Sequence, residues 1–204
     1  MTERVSEKTT GRPGLTLALL FCMFAIPPVL AWYLLNFTQV GVSSGTVNNG
    51  QLIHPARTLA ETNLYDAYAE VERPLYGKWN MIYFHDGECD DVCLEKLYRM
   101  QQVRLATSKY AHRLQRVIVL NAADENKLLP LLKDYQGLLV MRRDELSDEV
   151  LRLFQMSTDD DIYQNHRVYI VDPIGNLMMF YEPESEPKGM IKDLQRLIKL
   201  SRIG

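Results

Sequence analysis

Residues 83 to 97 read YFHDGECDDVCLEKL, with Cys89 and Cys93 four apart and Asp90, Asp91 and Val92 between them. The apolar run Trp79–Phe84 (WNMIYF) leads in as a buried strand. Beyond it, Leu94, Leu97, Met100, Val103, Ala106, Tyr110 and Leu114 recur at three- and four-residue intervals, as one buried helix face should. With a helix starting near Asp90, Cys89 caps it and Cys93 lies one turn in, on the same face, with Cβ atoms about 5–6 Å apart. A small adjustment closes a disulfide, which needs Cβ atoms about 3.5–4.5 Å apart. The same pair can converge on a soft ion, and among first-row metals thiolates select Cu(I) or Zn. Spacing alone leaves both chemistries open.

The intervening acids tilt the choice toward a metal. A helix N-terminus lowers a thiol's pKa, and Asp90 and Asp91 oppose that effect, whereas a cation site can use them. A copper site wants a third ligand, and the chain has four histidines. His112 lies nineteen residues past Cys93 in the same helical pattern, hence ~28 Å away. His54 has no assignable position. His85 sits on the cysteine loop and can fold back, and His166 begins a strand expected to run beside that loop.

The N-terminal part sets the compartment. Leu15–Phe37 (LTLALLFCMFAIPPVLAWYLLNF) carries no charge over 23 residues, enough for a ~30 Å hydrocarbon core. Arg4, Lys8 and Arg12 precede it and no Lys or Arg follows until Arg57, which puts the N-terminus in the cytoplasm. A cleaved signal would have a shorter core ending in small residues, and Phe21 before Cys22 argues against lipoprotein processing. Cys22 is then an apolar residue within the membrane. A net charge of −3 and a pI near 5.8 argue against a nucleic-acid partner.

Four segments follow: a cytoplasmic tail (1–14), an anchor (15–37), a Gly/Ser/Thr/Asn-rich flexible linker (38–50) and a globular domain (51–204). Within the domain, strands are expected at 79–84, 116–121, 137–141, 166–171 and 176–181. Helices are expected from Asp90 onward and at 124–135, 144–154 and 190–203. The order β-α-β-α-β-α-β-β-α is the plan of an α/β, thioredoxin-like domain, a central mixed sheet flanked by helices. In that plan the first strand ends at the redox or metal loop.

The segment GKWNMIYFHDGECDDVCLEKL resembles the Sco/SenC family of membrane-anchored copper proteins of cytochrome c oxidase assembly. Cys89, Asp91, Val92, Cys93 and Leu97 match its Cys-Pro-Asp-Val-Cys-Pro motif and following Leu, while Asp90 and Leu94 replace the prolines. The hairpin VYIVDPIGNL keeps Asp172, Pro173 and Gly175, and DLQRLIK resembles the closing helix. The family's histidine stands eight residues before Asp-Pro, where this chain has Gln164; His166 is two further on. The resemblance implies copper, Cu(I) rather than Cu(II), held by Cys89, Cys93 and His166, with His85 as substitute. It implies a metallochaperone rather than an enzyme. The partner would be the oxidase subunit carrying the copper centre, or another respiratory assembly factor.

The expected place is an inner membrane, single-pass, with the domain in the periplasm. The alternative is the mitochondrial inner membrane facing the intermembrane space, though no stretch resembling a transit peptide precedes the anchor. Two other functions stay open. One is a thiol-disulfide oxidoreductase with Cys89 attacking and Cys93 resolving; the other is a non-catalytic interaction module with a static disulfide.

Overall fold

The computed structural model describes residues 13–37, 48–59, 63–66, 71–120, 128, 130, 135 and 137–203. The helix expected over 124–135 lies, but for those three positions, outside the described residues. The chain divides into two compact units, Met1–Val47 and Asn48–Gly204.

In the first unit, helix α1 (Pro13–Phe37) runs through Pro27 and Pro28. Its Gly14–Leu34 portion, 21 residues with mean hydropathy 2.2, is long and apolar enough to cross a membrane.

The second unit is a thioredoxin-like α/β domain. Its strands are β1 (Gln51–Thr58), β2 (Asn63–Asp66), β3 (Val71–Pro74), β4 (Trp79–His85), β5 (Leu114–Leu120), β6 (Leu138–Arg142), β7 (Val168–Val171) and β8 (Asn176–Tyr181). Among the described residues its continuous α-helices are α2 (Asp91–Ala106), α3 (Asp148–Arg152) and α4 (Pro187–Leu200). Six strands form one mixed sheet in the order β1-β8-β7-β4-β5-β6, and β2 and β3 make a separate hairpin. Strands β4, β5 and β6 are parallel; β7, β8 and β1 add on antiparallel.

Side-chain alternation sorts the core. In β4 every residue is buried, as a strand covered on both faces requires. Trp79, Met81 and Tyr83 join a cluster with Cys93, Leu97, Met100 and Val103 of α2 and Met190, Leu194 and Ile198 of α4. Ile82 and Phe84 face the other way, against Leu146, Val150, Leu151 and Phe154. Two-residue periodicity therefore puts His85 on the Tyr83 side, the side of α2. The centre of the sheet thus delivers β4's last side chain to the helix that carries Cys93.

Several boundaries differ from the sequence expectation. Helix α2 stops at Ala106 although the apolar spacing continues, because Ser108 takes φ 53° and a 3₁₀ turn, Ser108–Arg113, follows. His112 is thus exposed on that turn. The expected helix 144–154 is a 3₁₀ turn at Arg143–Glu145 and then α3, capped by Ser147. The last helix begins at Pro187, where a proline costs no hydrogen bond.

The end of the expected linker belongs to the domain. The backbone N–H groups of Asn49 and Gly50 donate to the buried Asp193 carboxylate at 2.7 and 3.1 Å. Strand β1 and the β2–β3 hairpin were not expected. His166 does not begin a strand; it precedes β7 with φ 51°.

Candidate metal and redox centre

The site is built where β4 ends. After His85 the chain turns at Gly87, whose φ of 86° suits a residue without Cβ. It then enters α2 through Asp90. That carboxylate is the N-cap, accepting from Cys93 N–H at 3.0 Å. The cap is therefore Asp90, and Cys89 lies one residue outside the helix. The Cys93 N–H bond, with help from the nearby His85 and His166, holds the Asp90 carboxyl below the usual carboxylate range despite an opposing desolvation effect.

Cys89 and Cys93 are joined in a disulfide, their Cα atoms 5.2 Å apart. Cys93 is fully buried in the α2-side core, and Cys89 packs against that core while partly exposed. One ring nitrogen of His85 and the two sulfurs all lie within 4.8 Å of one another. His85 is itself buried. Reduced, the three side chains would offer two thiolates and an imidazole, a soft donor set suited to Cu(I) or Zn. Oxidised, they present a disulfide whose outer sulfur is the accessible one.

Tyr83 stands behind this group. Its ring is fully buried on the same strand face as His85, and burial, then the charge of Asp90, push its phenol upward. The hydroxyl lies 3.3 Å from His85 Nδ1 and 3.1 Å from His166 Nδ1. His85 Nε2 faces the Glu88 carbonyl oxygen at 3.2 Å. His166 thus reaches the site through Tyr83 and is not a member of the His85–Cys89–Cys93 group.

The unusual backbone at His166 is held by its neighbours. Arg167 N–H donates to Asn165 Oδ1 at 3.0 Å, and Asn165 Nδ2 donates to Asp160 and to the Tyr169 hydroxyl. The Arg167 guanidinium pairs with Asp160 at 2.7 Å and Glu182 at 2.8 Å. These clamps on both sides stabilise a φ that a non-glycine residue otherwise avoids. His54, exposed on β1, is outside the site; Cys22, on α1, is a free, exposed thiol.

Tyr83 was missed in the sequence, although its place two residues before His85 on a strand was a readable signal. The Asn165–Arg167 clamp had none.

The profile of the family described as transmembrane-like, thioredoxin-like, C-terminal domain matches residues 79–201, from the start of β4 to just past α4. The chain belongs to this family. Among curated proteins, none matches its sequence. The fold of this transmembrane-like, thioredoxin-like protein is shared by solved structures of low sequence identity. Yeast Sco1 with copper bound is 19% identical with TM-score 0.55, over 72% of this chain and 91% of that one. BsSco, described with a disulfide switch and as a member of the Sco family of cytochrome c oxidase assembly proteins, is 12% identical with TM-score 0.56, over 74% and 99%. The thioredoxin domain of a thiol-disulfide oxidoreductase from Bacteroides vulgatus is 12% identical with TM-score 0.50, over 70% and 96%.

Proposed function

We propose that the protein is a membrane-anchored, Sco-like copper protein that holds Cu(I) between Cys89, Cys93 and His85 and serves maturation of a respiratory oxidase's copper centre. The observation that carries this reading is the convergence of the His85 nitrogen and both sulfurs within 4.8 Å. Copper would supply a transferable soft cation. The chain's own part is to present two thiolates from one helical turn, to aim an imidazole at them from β4 and to back that imidazole with a buried phenol. Low coordination suits Cu(I), and His166 stands one hydrogen bond behind as the other candidate ligand.

The fold shared with copper-bound yeast Sco1 and with BsSco supports the assignment. The partner on this reading is the oxidase subunit that carries the copper centre, or another assembly factor of the same respiratory complex. The anchor is 15–37, with tail 1–14 in the cytoplasm and the linker from 38 leading to the domain, which begins by Asn48, in the periplasm of a bacterial inner membrane. The basic residues Arg4, Lys8 and Arg12 on one flank support that orientation. A mitochondrial inner membrane would give the same orientation toward the intermembrane space.

A second reading is favoured by the formed disulfide. In a thiol-disulfide oxidoreductase the Cys89 thiolate would attack a partner disulfide and expel one partner thiolate. Cys93 would then close on Cys89 and release the second, so the partner is reduced as this pair is oxidised.

The test is a Cu(I) titration of the reduced full chain in detergent against a competing Cu(I) chelator. About one Cu(I) per chain is expected, abolished in the Cys89→Ser/Cys93→Ser variant. Tight binding that survives loss of both thiols sinks the copper reading. No uptake, together with ready cycling of the pair by glutathione, transfers the assignment to the oxidoreductase.

A further inference from the structure

Tyr83 offers one hydroxyl to two imidazoles, 3.3 Å from His85 Nδ1 and 3.1 Å from His166 Nδ1. A phenol that is neutral near pH 7 owns a single hydrogen, so it can donate to only one of them. The other Nδ1 faces an oxygen lone pair and has to bring its own hydrogen.

The far side of His85 decides which is which. Its Nε2 lies 3.2 Å from the Glu88 carbonyl oxygen, a group that only accepts, so Nε2 carries a hydrogen. In the neutral ring Nδ1 is then the bare nitrogen, and it takes the Tyr83 hydrogen. Tyr83 oxygen in turn accepts from His166 Nδ1–H, which leaves His166 Nε2 bare. We propose that Tyr83 locks His85 and His166 into opposite tautomers, and that seating a metal on His85 reverses both. The lock stands on the geometry alone; the reversal rests on the copper reading.

The reversal follows from proton balance. As the network stands, both nitrogens of His85 are engaged. Releasing Nδ1 would cost the fully buried Tyr83 hydroxyl one of its two imidazole partners and leave it His166. Releasing Nε2 costs only a bond to a loop carbonyl. When Nε2 becomes a ligand it gives up its proton, Nδ1 takes the hydrogen of Tyr83, and Tyr83 takes the Nδ1 hydrogen of His166. His166 then collects a proton from solvent on Nε2. One proton leaves at His85 and one enters at His166, and no ring changes charge. The ligating imidazole ends by donating its second N–H to an oxygen, the arrangement metal-bound histidines commonly adopt. Tyr83 is thus a positioning residue, acting on the metal only through His85.

Ring-nitrogen NMR reads this directly. The full chain, labelled with 15N-histidine, has only four such side chains, and His54→Gln and His112→Gln remove two of the signals. In detergent at pH 8, the oxidised protein should show His85 as Nε2–H and His166 as Nδ1–H, the form free histidine disfavours. Tyr83→Phe should return His166 to Nε2–H while His85 keeps its hydrogen on Nε2. One equivalent of Cu(I) on the reduced protein should turn His85 to Nδ1–H and His166 to Nε2–H together.

Finding His166 as Nε2–H in the oxidised wild type ends the lock, as does no change at His166 in a folded Tyr83→Phe. Should that variant not fold, the wild-type spectrum decides alone. Bound copper with His166 unmoved ends the reversal. No copper uptake ends the copper reading and the reversal with it, while the oxidised spectrum still judges the lock.

Discussion

The two stretches that were most distinctive in the sequence sit at opposite ends of the same strand pair. At one end β4 and the segment before β7 meet at the disulfide; at the other, β7 turns into β8 through Asp172, Pro173, Ile174 and Gly175. The turn is chemically closed. Asp172 accepts from Ile174 N–H, Asn176 N–H and the Asn176 side chain at 2.8 to 3.0 Å, and the N–H groups of Leu59 and Gly77 donate to the Gly175 and Pro173 carbonyls at 2.9 and 2.8 Å. Each donor there has one acceptor and one arrangement. The disulfide end is poised: a phenol between two imidazoles, and sulfurs able to bond each other or a cation. A recognisable motif therefore reports a backbone constraint at one end and reactivity at the other.

Variants at each end should separate cleanly, and the largest expected effect comes from the cysteines. Cys89→Ser/Cys93→Ser should lose Cu(I) binding by at least two orders of magnitude in a chelator competition, with urea unfolding still cooperative. Next comes Gly175→Ala. Gly175 has φ 86°, and an added Cβ would lie 2.8 Å from the ring and hydroxyl of Tyr76. Tyr76 cannot swing away without breaking its 2.9 Å bond to the Leu59 carbonyl. Backbone strain and overpacking together should cost about 3 kcal/mol in urea unfolding followed by tryptophan fluorescence. Copper affinity should stay unchanged in the fraction that folds. A copper defect in Gly175→Ala, with the fold intact, would break the division between the two ends.

Asp172→Ala should cost less, about 1–2 kcal/mol, because it removes the acceptor of three local donors at a partly exposed turn. Smaller again is the split between the histidines. His85→Ala should weaken Cu(I) about tenfold, roughly 1.4 kcal/mol, with two thiolates still in place. His166→Ala should change affinity less than His85→Ala in the same competition. The reverse order would move the third ligand to His166.

The contrast also explains what could be read in advance. Central strands announce themselves because burial on both faces leaves little besides apolar residues in β4, β5 and β7, and the apolar run 15–37 declares itself by hydropathy. The cysteine pair and its helix were legible from spacing. Strand β1, QLIHPART, was not: it is an edge strand with mostly exposed side chains, so no alternating core pattern marks it. The end of α2 was hidden because Tyr110 continues the spacing and still packs on the core, although the helix has ended. His166 was legible as a candidate by its place at the start of the hairpin segment and by its distance from Asp172. Its actual position depends on Asp160, Asn165, Arg167 and Glu182, four polar residues whose convergence is tertiary.

The smallest effect tests how far the unbalanced character of the disulfide end runs along α2. Lys96, three residues past Cys93, is buried, and its ammonium reaches the Pro183 carbonyl only at 3.5 Å. Burial, with Arg99 adding, pulls its pKa below the usual 10.5, while Glu184 and Glu95 oppose the shift. The unfolded chain therefore holds this proton more tightly than the folded one. Unfolding takes up a proton between the two values, so stability rises with pH across that window. Below the lowered value the cost of the buried charge is fully present; above 10.5 it is gone. Lys96→Met should thus stabilise the protein by about 1 kcal/mol at pH 7, with the advantage shrinking as pH approaches 10.5. Urea unfolding of both proteins at pH 7 and pH 10 measures it. An equal advantage at both values would assign the gain to packing and leave the helix electrostatically closed below the first turn.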